Sequence, residues 1–321
     1  MHKSHIFLIV IVFALFAILP GVAALMDQPY LLTVGTKILI SAMAAVSLDL
    51  LLGYGGMVSF GHAAFLGVGA YVVGILSFYA PVLAAGGWFD GREAVIVWPV
   101  AILFSVVIAV IIGALSLRTN GIHFIMITLA FAQMLYFITI SLEPYGGDDG
   151  LSLVGRSRLA GFSLSDDTSF YYVCFLLLAG FFWLCQKIVL SRFGYAIRGI
   201  KQNPLRMKAL GFPIYRYQLV CFAIAGAGAG LAGALSANQS EFVSPDLLHW
   251  SKSGEIMVMV ILGGVGTLLG PVLGSIALIS LEEGLALLTP HWMIFLGIIL
   301  VIMVLSFRRG LYGLLMRGSN E

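Results

Sequence analysis

The chain is dominated by apolar runs that are long enough to cross a membrane. Ten such runs follow one another, near residues 6–25, 37–52, 57–79, 94–117, 122–142, 170–190, 217–238, 254–269, 271–289 and 291–307. A helix rises roughly 1.5 Å per residue, so about 20 residues cover the ~30 Å of hydrocarbon in a bilayer. Backbone groups in lipid must pair with one another, which favours helices. We therefore predict an all-α, polytopic integral membrane protein forming one transmembrane domain over residues 1–321. About ten transmembrane helices are expected, some of them short or interrupted by glycine.

The composition excludes a soluble protein with an ordinary core. Of the 321 residues, 60% have apolar side chains and only 10% are charged, too few to cover the surface of a soluble chain of this length. The formal net charge is +2, and the charges are divided among loops, so no nucleic-acid partner is predicted. Cys174, Cys185 and Cys221 lie in apolar runs without the spacing of metal ligands. We expect buried thiols, no disulfide and no metal.

The first apolar run, Ile6 to Leu25, is either a cleaved signal or a first membrane span. A signal has an apolar core of about 7–15 residues, whereas this run has about 20 and suits a bilayer crossing. Val22, Ala23 and Ala24 would be tolerated at a cleavage site. The length favours a span.

The segment from Ser191 to Arg216 is rich in basic residues and has no acidic residue. The basic residues are Arg192, Arg198, Lys201, Arg206, Lys208 and Arg216. Short loops rich in lysine and arginine stay on the cytoplasmic side, so this segment is predicted to be cytoplasmic and to offer a surface to a soluble partner. Pro204 can begin a helix and Gly211 can end one, which predicts a short helix from Pro204 to Leu210. An ordinary basic loop is the alternative.

Counting spans outward from this segment orients the whole chain. Both termini then fall on the cytoplasmic side. The other basic residues on that side are Lys3, Arg118, Arg308, Arg309 and Arg317. The longest loop, Glu143 to Ser169, falls outside and carries five acidic residues against two arginines. Every basic cluster is thus predicted to lie inside.

Glycine clusters separate two pairs of neighbouring runs. They consist of Gly53, Gly55 and Gly56 in the first pair, and of Gly263, Gly264 and Gly266 in the second. Each leaves a run of about 16 residues, roughly 24 Å of helix, which is short for a bilayer. Transporters place unwound backbone at membrane depth beside protein or water, so the clusters are candidate hinges. Tight helical hairpins at the membrane surface are the alternative. The clusters do not occupy equivalent places in two halves of five spans, so no internal repeat is predicted.

Three polar residues near the first cluster are candidates for a translocation path: Asp49, Ser59 and His62. A carboxylate at the centre of a membrane costs about 2.5–3.5 kcal/mol on insertion scales, so Asp49 needs compensation. It could instead reach water at the interface, or pack helices with a hydroxyl partner such as Ser47 or Ser59. A hydrogen bond between helices explains His62 equally well.

Sequence motifs for catalysis are missing. Gly228, Gly230 and Gly233 match G-x-G-x-x-G, but they lie in a run of small residues within an apolar span, where close helix packing explains them. There is no H-E-x-x-H, no G-x-S-x-G and no G-x-x-x-x-G-K-[ST]. We predict no catalytic centre and no cofactor. Any ATP-driven step requires an ATPase on another chain.

Several blocks, taken together, resemble the M-type permease subunits of bacterial ABC importers for branched-chain amino acids. The blocks are Ser47 to Phe65, Leu117 to Gly121, Gly146 to Leu151, Phe242 to Asp246, Val260 to Pro271 and Arg308 to Leu311. The resemblance covers nearly the whole chain. It implies a multi-pass subunit of the inner membrane that works with a second permease subunit, cytoplasmic ABC ATPase subunits and a periplasmic substrate-binding protein.

The resemblance also implies a role for the basic segment, within which residues 196–211 correspond to the region that couples the permease to the ATPase. The candidate coupling residues are Arg198, Lys201, Asn203, Pro204, Arg206, Lys208, Ala209 and Gly211. The chain departs from the family in two places. Residues 204–208, which include Arg206 and Lys208, stand where an acidic residue followed by small residues is frequent, and Asp49 stands where Asn is common. Similar permeases carry urea, short amides or aromatic acids, which are the alternative substrates. A secondary transporter without an ATPase is the alternative class.

Overall fold

The computed structural model describes residues 3–85, 90–159, 162–306 and 310–317, and nearly all regular structure in them is helical. The helices are α1 (Lys3–Leu25), α2 (Tyr30–Asp49), α3 (His62–Phe78), α4 (Ala80–Ala85), α5 (Ala94–Ser116), α6 (Ile122–Ser141), α7 (Asp167–Leu190), α8 (Arg192–Gln202), α9 (Pro204–Ala209), α10 (Ile214–Ser240), α11 (Trp250–Gly263), α12 (Leu269–Leu288), α13 (Trp292–Ser306) and α14 (Gly310–Arg317). A π-helical turn, Leu50–Tyr54, extends α2, and short 3-10 turns span Glu143–Tyr145 and Pro245–Leu248.

Four two-residue strands complete the regular structure. They are β1 (Leu151–Ser152), β2 (Arg158–Leu159), β3 (Phe162–Ser163) and β4 (Phe242–Val243). β1 pairs with β4 and β2 pairs with β3, both antiparallel. The β1–β4 pair ties the long loop before α7 to the segment that follows α10.

The predicted helical membrane protein is confirmed, and each of the ten apolar runs overlaps one apolar helix. Among the described residues, seven helices are long and apolar enough to cross a membrane, namely α1, α2 with its π turn, α5, α6, α7, α10 and α12. α3 and α13 are shorter apolar helices, and α11 has only 14 residues. The third run was expected to be helical from residue 57, but α3 begins at His62, because the backbone is irregular after Gly56, whose φ is +69°.

The glycines of α10 pack helices together, as predicted. A Cβ added at Gly233 would strike the backbone of Leu66 on α3, and one at Gly230 would strike Ser105 on α5. Small residues therefore let α10 approach both neighbours closely. The three cysteines are buried, as predicted, and each is a free thiol.

The described basic segments meet at one end of the bundle, which we call the basic end. Lys201 of α8 contacts the carbonyl of Gly53, and Gly310 of α14 lies against Gly264. The loop before α6 and the start of α10 line a small cavity of about 150 Å³ with residues 56–58. The predicted grouping of these loops is therefore observed, while Arg308 and Arg309 lie outside the described residues.

Two irregular segments enter the bundle from opposite ends and meet inside it. Residues 55–61 enter from the basic end, and residues 241–249 from the other end. Ser105, midway along α5, donates a hydrogen bond to the carbonyl of Phe65 (3.1 Å), so α3 begins near mid-depth. Ser253 of α11 accepts from the amide of Ala63 (2.8 Å) and donates to the carbonyl of Phe60 (2.7 Å). α3 and α11 therefore start side by side, near the middle of the membrane.

The two halves of the bundle are arranged alike but run in opposite directions. In one half the long helix α2 is followed by an irregular segment and the short helix α3, which packs against α5 and α10. In the other half α10 is followed by an irregular segment and the short helix α11, which packs against α12 and α2. α2 and α10 are antiparallel, since Thr33 meets Gln239 and Leu50 meets Cys221. The positions of the glycine clusters did not predict this inverted relation between the halves. The segment of the second half that corresponds to residues 55–61 is 241–249, and it contains no glycine.

Ser253→Ala is expected to destabilise the protein by about 1–3 kcal/mol, since it leaves the amide of Ala63 and the carbonyl of Phe60 unpaired in the interior. Thermal unfolding in mild detergent measures the effect. Ser251→Ala is the control, because Ser251 lies on the same helix with an exposed side chain. Equal unfolding temperatures for the two variants would show that the junction of α3 and α11 does not depend on Ser253.

Candidate functional site

The predicted coupling segment forms a helical hairpin at the basic end. Asn203 accepts a hydrogen bond from the amide of Arg206 (3.0 Å) and caps α9, whose first residue is Pro204. Gly211, with a φ of +84°, follows the end of this helix. The short helix predicted from Pro204 to Leu210 is therefore present, as Pro204–Ala209. The preceding helix α8 was not predicted; it buries Ala196, Ile197 and Ile200 and carries Arg198 and Lys201 at its edge.

α9 presents most of its side chains to the outside. Leu205 is 79% exposed, and Arg206, Lys208 and Ala209 are also exposed. Met207 is the buried residue of this helix and packs against Gly199, where an added Cβ would be 2.9 Å from its sulfur. The helix is thus anchored to α8 by one side chain. Its remaining surface is free to contact another protein.

Lys201 connects α8 to the end of α2. Its ammonium donates a hydrogen bond to the carbonyl of Gly53 (2.5 Å), in the π-helical turn. Its aliphatic stem lies on Gly56, where an added Cβ would be 2.8 Å from Cγ of the lysine. π-helical turns leave the ordinary hydrogen-bond pattern and are frequent at functional sites.

Asp49 connects the two glycine clusters. Its Oδ1 accepts a hydrogen bond from the amide of Gly266 (2.7 Å), and its side chain is completely buried. The alternative in which this carboxylate reaches water at the interface is therefore excluded. Gly53 lies directly on Gly266, since an added Cβ would be 2.7 Å from the Cα atom of Gly266. The end of α2 and the loop between α11 and α12 thus form one contact at the basic end.

The six candidate hinge glycines have different surroundings. The predicted interruption at Gly53 is displaced, because the helix continues as a π turn through Tyr54 and becomes irregular at Gly55 and Gly56. Gly263 ends α11 against the backbone of Gly270. Gly264 and Gly266 have φ values of +124° and +78°, which other residues rarely adopt. The breaks are therefore real, and their function as hinges remains a proposal.

A cavity of about 590 Å³ lies next to this contact. Gly53, Tyr54 and Gly266 line one side of it, and Arg198 and Lys201 of α8 line another. α1 and α7 supply apolar residues to the remaining wall. The coupling hairpin therefore borders open space at the place where it touches the membrane helices.

The three candidate path residues are fully buried, and each forms its hydrogen bond with a different partner. Asp49 belongs to the contact with Gly266. Ser59 accepts a hydrogen bond from the amide of Gly61 (3.1 Å). Nε2 of His62 lies 2.8 Å from Oγ of Ser47, whose hydroxyl donates to the carbonyl of Ala44, so the imidazole donates to Ser47. In this conformation all three hold backbone or helices in place, and none lines the 590 Å³ cavity.

A group of charged residues at membrane depth was missed by the sequence analysis. Lys252 and Glu255 of α11 form an ion pair (2.7 Å). Lys37 of α2 lies 3.0 Å from Glu283 and 3.7 Å from Glu282, both on α12. The available signal was the Glu282–Glu283 doublet inside an apolar run. Lys252 and Glu255 give a weaker signal, because they lie at the boundary of the predicted run 254–269.

Comparisons with known proteins identify the family of this chain. The chain matches the family described as branched-chain amino acid transport system / permease component over residues 30–304. It is 25% identical to the high-affinity branched-chain amino acid transport system permease protein LivM of Escherichia coli K12, and 24% identical to LivM of Salmonella typhimurium. Each alignment covers 87% of this chain and 69% of the relative.

A more distant relative is the autoinducer 2 import system permease protein LsrC of Photorhabdus luminescens, 28% identical over 38% of this chain and 38% of its own. No solved structure matches the chain significantly. The family match extends from the start of α2 into α13, and so includes both glycine clusters and the coupling hairpin. The chain therefore belongs to the permease component family of branched-chain amino acid transport systems.

Proposed function

We propose that this chain is the membrane permease subunit of an ATP-driven importer that carries leucine, isoleucine and valine across the bacterial inner membrane. The substrate assignment is supported by the LivM relatives, which align over most of their length. The observation that carries the coupling mechanism is the contact from Lys201 of α8 to Gly53, because it joins an exposed cytoplasmic hairpin to the glycine clusters.

ATP hydrolysis takes place on partner subunits. The chain has no nucleotide-binding motif, and α9 presents an exposed surface on which a soluble ATPase can act. A periplasmic binding protein delivers the amino acid, and a second permease subunit completes the membrane part of the importer. The coupling segment comprises residues 191–216 within the single transmembrane domain.

The basic end faces the cytoplasm. Residues 191–216 carry six basic residues and no acidic residue, and lysine and arginine are concentrated in cytoplasmic loops. Since α1 begins and α14 lies at this end, both termini are cytoplasmic. ATP-driven closure of the partner subunits pushes α8 and α9, and the movement reaches the two glycine clusters through Lys201 and Asp49.

Replacing both Arg206 and Gly211 by alanine is expected to lower leucine uptake at least tenfold without removing the subunit from the membrane. Arg206 is exposed on α9, and a side chain at Gly211 strains a backbone with a φ of +84°. The measurements are uptake of labelled leucine and the amount of ATPase that purifies with the subunit in mild detergent.

Arg118→Ala is the control, since Arg118 is exposed at the same end but lies outside the coupling segment. Full uptake by the double variant would contradict the coupling assignment. An unmodified subunit that transports leucine without any ATPase would instead identify a secondary transporter, and uptake of urea or benzoate in place of leucine would reassign the substrate.

A further inference from the structure

The Lys252–Glu255 ion pair lies close to the middle of the membrane. Ser253, between these two residues, is hydrogen-bonded to Phe60 and Ala63 at the start of α3. The carbonyl of Phe65, slightly further along α3, accepts from Ser105 at the midpoint of α5. Measured along α11, Glu255 is eight residues from Gly263, which is roughly 12 Å from the basic end of this helix. The pair is therefore far from both membrane surfaces.

Both charged side chains reach the outer surface of the subunit. The exposed fractions of the side chains are 31% for Lys252 and 34% for Glu255. Charged groups at this depth face water, another protein or a substrate path, because lipid does not solvate them. The face of α11 that carries them also presents Ser251 and Gly254, and an added Cβ at Gly254 would meet only one atom, 4.0 Å away on Phe60. This face therefore has room beside two opposite charges.

We propose that Lys252 and Glu255 bind the charged groups of the transported amino acid, Lys252 its carboxylate and Glu255 its ammonium. This assignment rests on the proposed function and names the substrate site within it. A free α-amino acid carries the same two charges close together, so it can replace the internal ion pair without leaving a net charge in the membrane. The Nζ–Oε2 distance of 2.7 Å shows that both groups are already held beside each other before substrate arrives.

A second charged group extends the site toward the opposite end of the bundle. Lys37 lies on α2, and α2 packs against α11, the helix that carries Glu255. Lys37 in turn is paired with Glu282 and Glu283, which lie about 20 Å along α12 from its start at the basic end. Charged side chains thus continue from mid-membrane to the end at which the binding protein delivers its cargo. The second permease subunit would complete this path on the open side.

The test uses the complete importer in proteoliposomes with saturating, leucine-loaded binding protein. Two variants are compared with the natural complex: the neutral pair Lys252→Met with Glu255→Leu, and the exchanged pair Lys252→Glu with Glu255→Lys. The readout is leucine transported per ATP hydrolysed. Both variants are expected to fall at least tenfold, because the exchanged pair keeps an internal ion pair but presents each charge at the wrong position.

The control is the neutral pair Asp90→Leu with Arg92→Met, an ion pair outside the membrane helices at the opposite end. Near-natural transport by either Lys252–Glu255 variant would overturn the proposal, because it would mean that the two charges only neutralise each other. If one variant fails to assemble, the other still decides the question. Lys252→Arg, which keeps the charge, is expected to assemble and to retain transport, and its loss of transport would also count against the proposal. Failure of the natural complex to move leucine would contradict the proposed function instead.

Discussion

Gly53→Ala is expected to remove nearly all folded permease from the membrane. The added Cβ would lie 2.5 Å from the amide nitrogen and 2.7 Å from the Cα of Gly266, and it would also strike the carboxylate of Asp49. Backbone atoms cannot rotate away as a side chain can. Overpacking costs about 1–3 kcal/mol, and losing the buried hydrogen bond between Asp49 and Gly266 costs about 1–3 kcal/mol more. Together these losses are a large share of the stability of a typical domain.

The measurements for Gly53→Ala are the yield of detergent-extracted protein and its thermal unfolding temperature. Gly180→Ala is the matched control, because Gly180 is also inside a helix but has no atom within 4 Å of an added Cβ. Alanine there is expected to leave stability unchanged or to raise it by about 0.5–1 kcal/mol. If both variants unfold alike, the contact between the glycine clusters does not hold the two halves together.

The membrane helices could be predicted from the sequence, because the length of an apolar run is a local property. Each of the ten runs overlaps an apolar helix, and the short helix at Pro204 follows from residues that begin and end helices. The errors are at the helix boundaries: α11 spans Trp250–Gly263 instead of 254–269, and α3 begins at His62. Residues 57–61 are apolar enough to be counted in a span, but their backbone is bonded to Thr128 of α6 and Ser253 of α11. These partners are distant in sequence, so the irregular segment could not be predicted locally.

The arrangement of the site also depends on contacts between residues that are distant in sequence. Asp49 could be recognised as a residue in need of a partner, but that partner is the amide of Gly266, which no side-chain pattern reveals. The sequence predicts Lys201 only as one of several basic residues in the segment 191–216. The structure distinguishes it from the others, because its ammonium is hydrogen-bonded to the carbonyl of Gly53. Lys252 and Glu255 become candidate substrate ligands because they lie deep in the helix bundle. That depth is set by Ser253 and Phe60, 193 residues apart.

The proposed coupling across the basic end uses two contacts in series. Lys201 joins the hairpin of α8 and α9 to α2, and Asp49 joins α2 to the loop between α11 and α12. α11 begins beside α3 at mid-depth, so displacement of this loop moves a helix that carries Lys252 and Glu255. A push on α9 can therefore reach the middle of the membrane through three rigid elements. The side chain of Lys201 is exposed, whereas that of Asp49 is fully buried, which makes Lys201 the more informative position.

Lys201→Met is expected to lower the leucine transported per ATP about tenfold or more while ATP hydrolysis continues. Methionine keeps the stem that lies on Gly56 but removes the donor to the Gly53 carbonyl. Hydrogen bonds of charged groups contribute about 1.5–3 kcal/mol, and each 1.4 kcal/mol is a factor of about ten. The lower value applies, since Lys201 is exposed. Lys187→Met is the control, because Lys187 lies at the same end over the ring of Trp183, away from both glycine clusters. An unchanged ratio of leucine to ATP in Lys201→Met would show that the movement of α8 and α9 reaches the membrane helices through another contact.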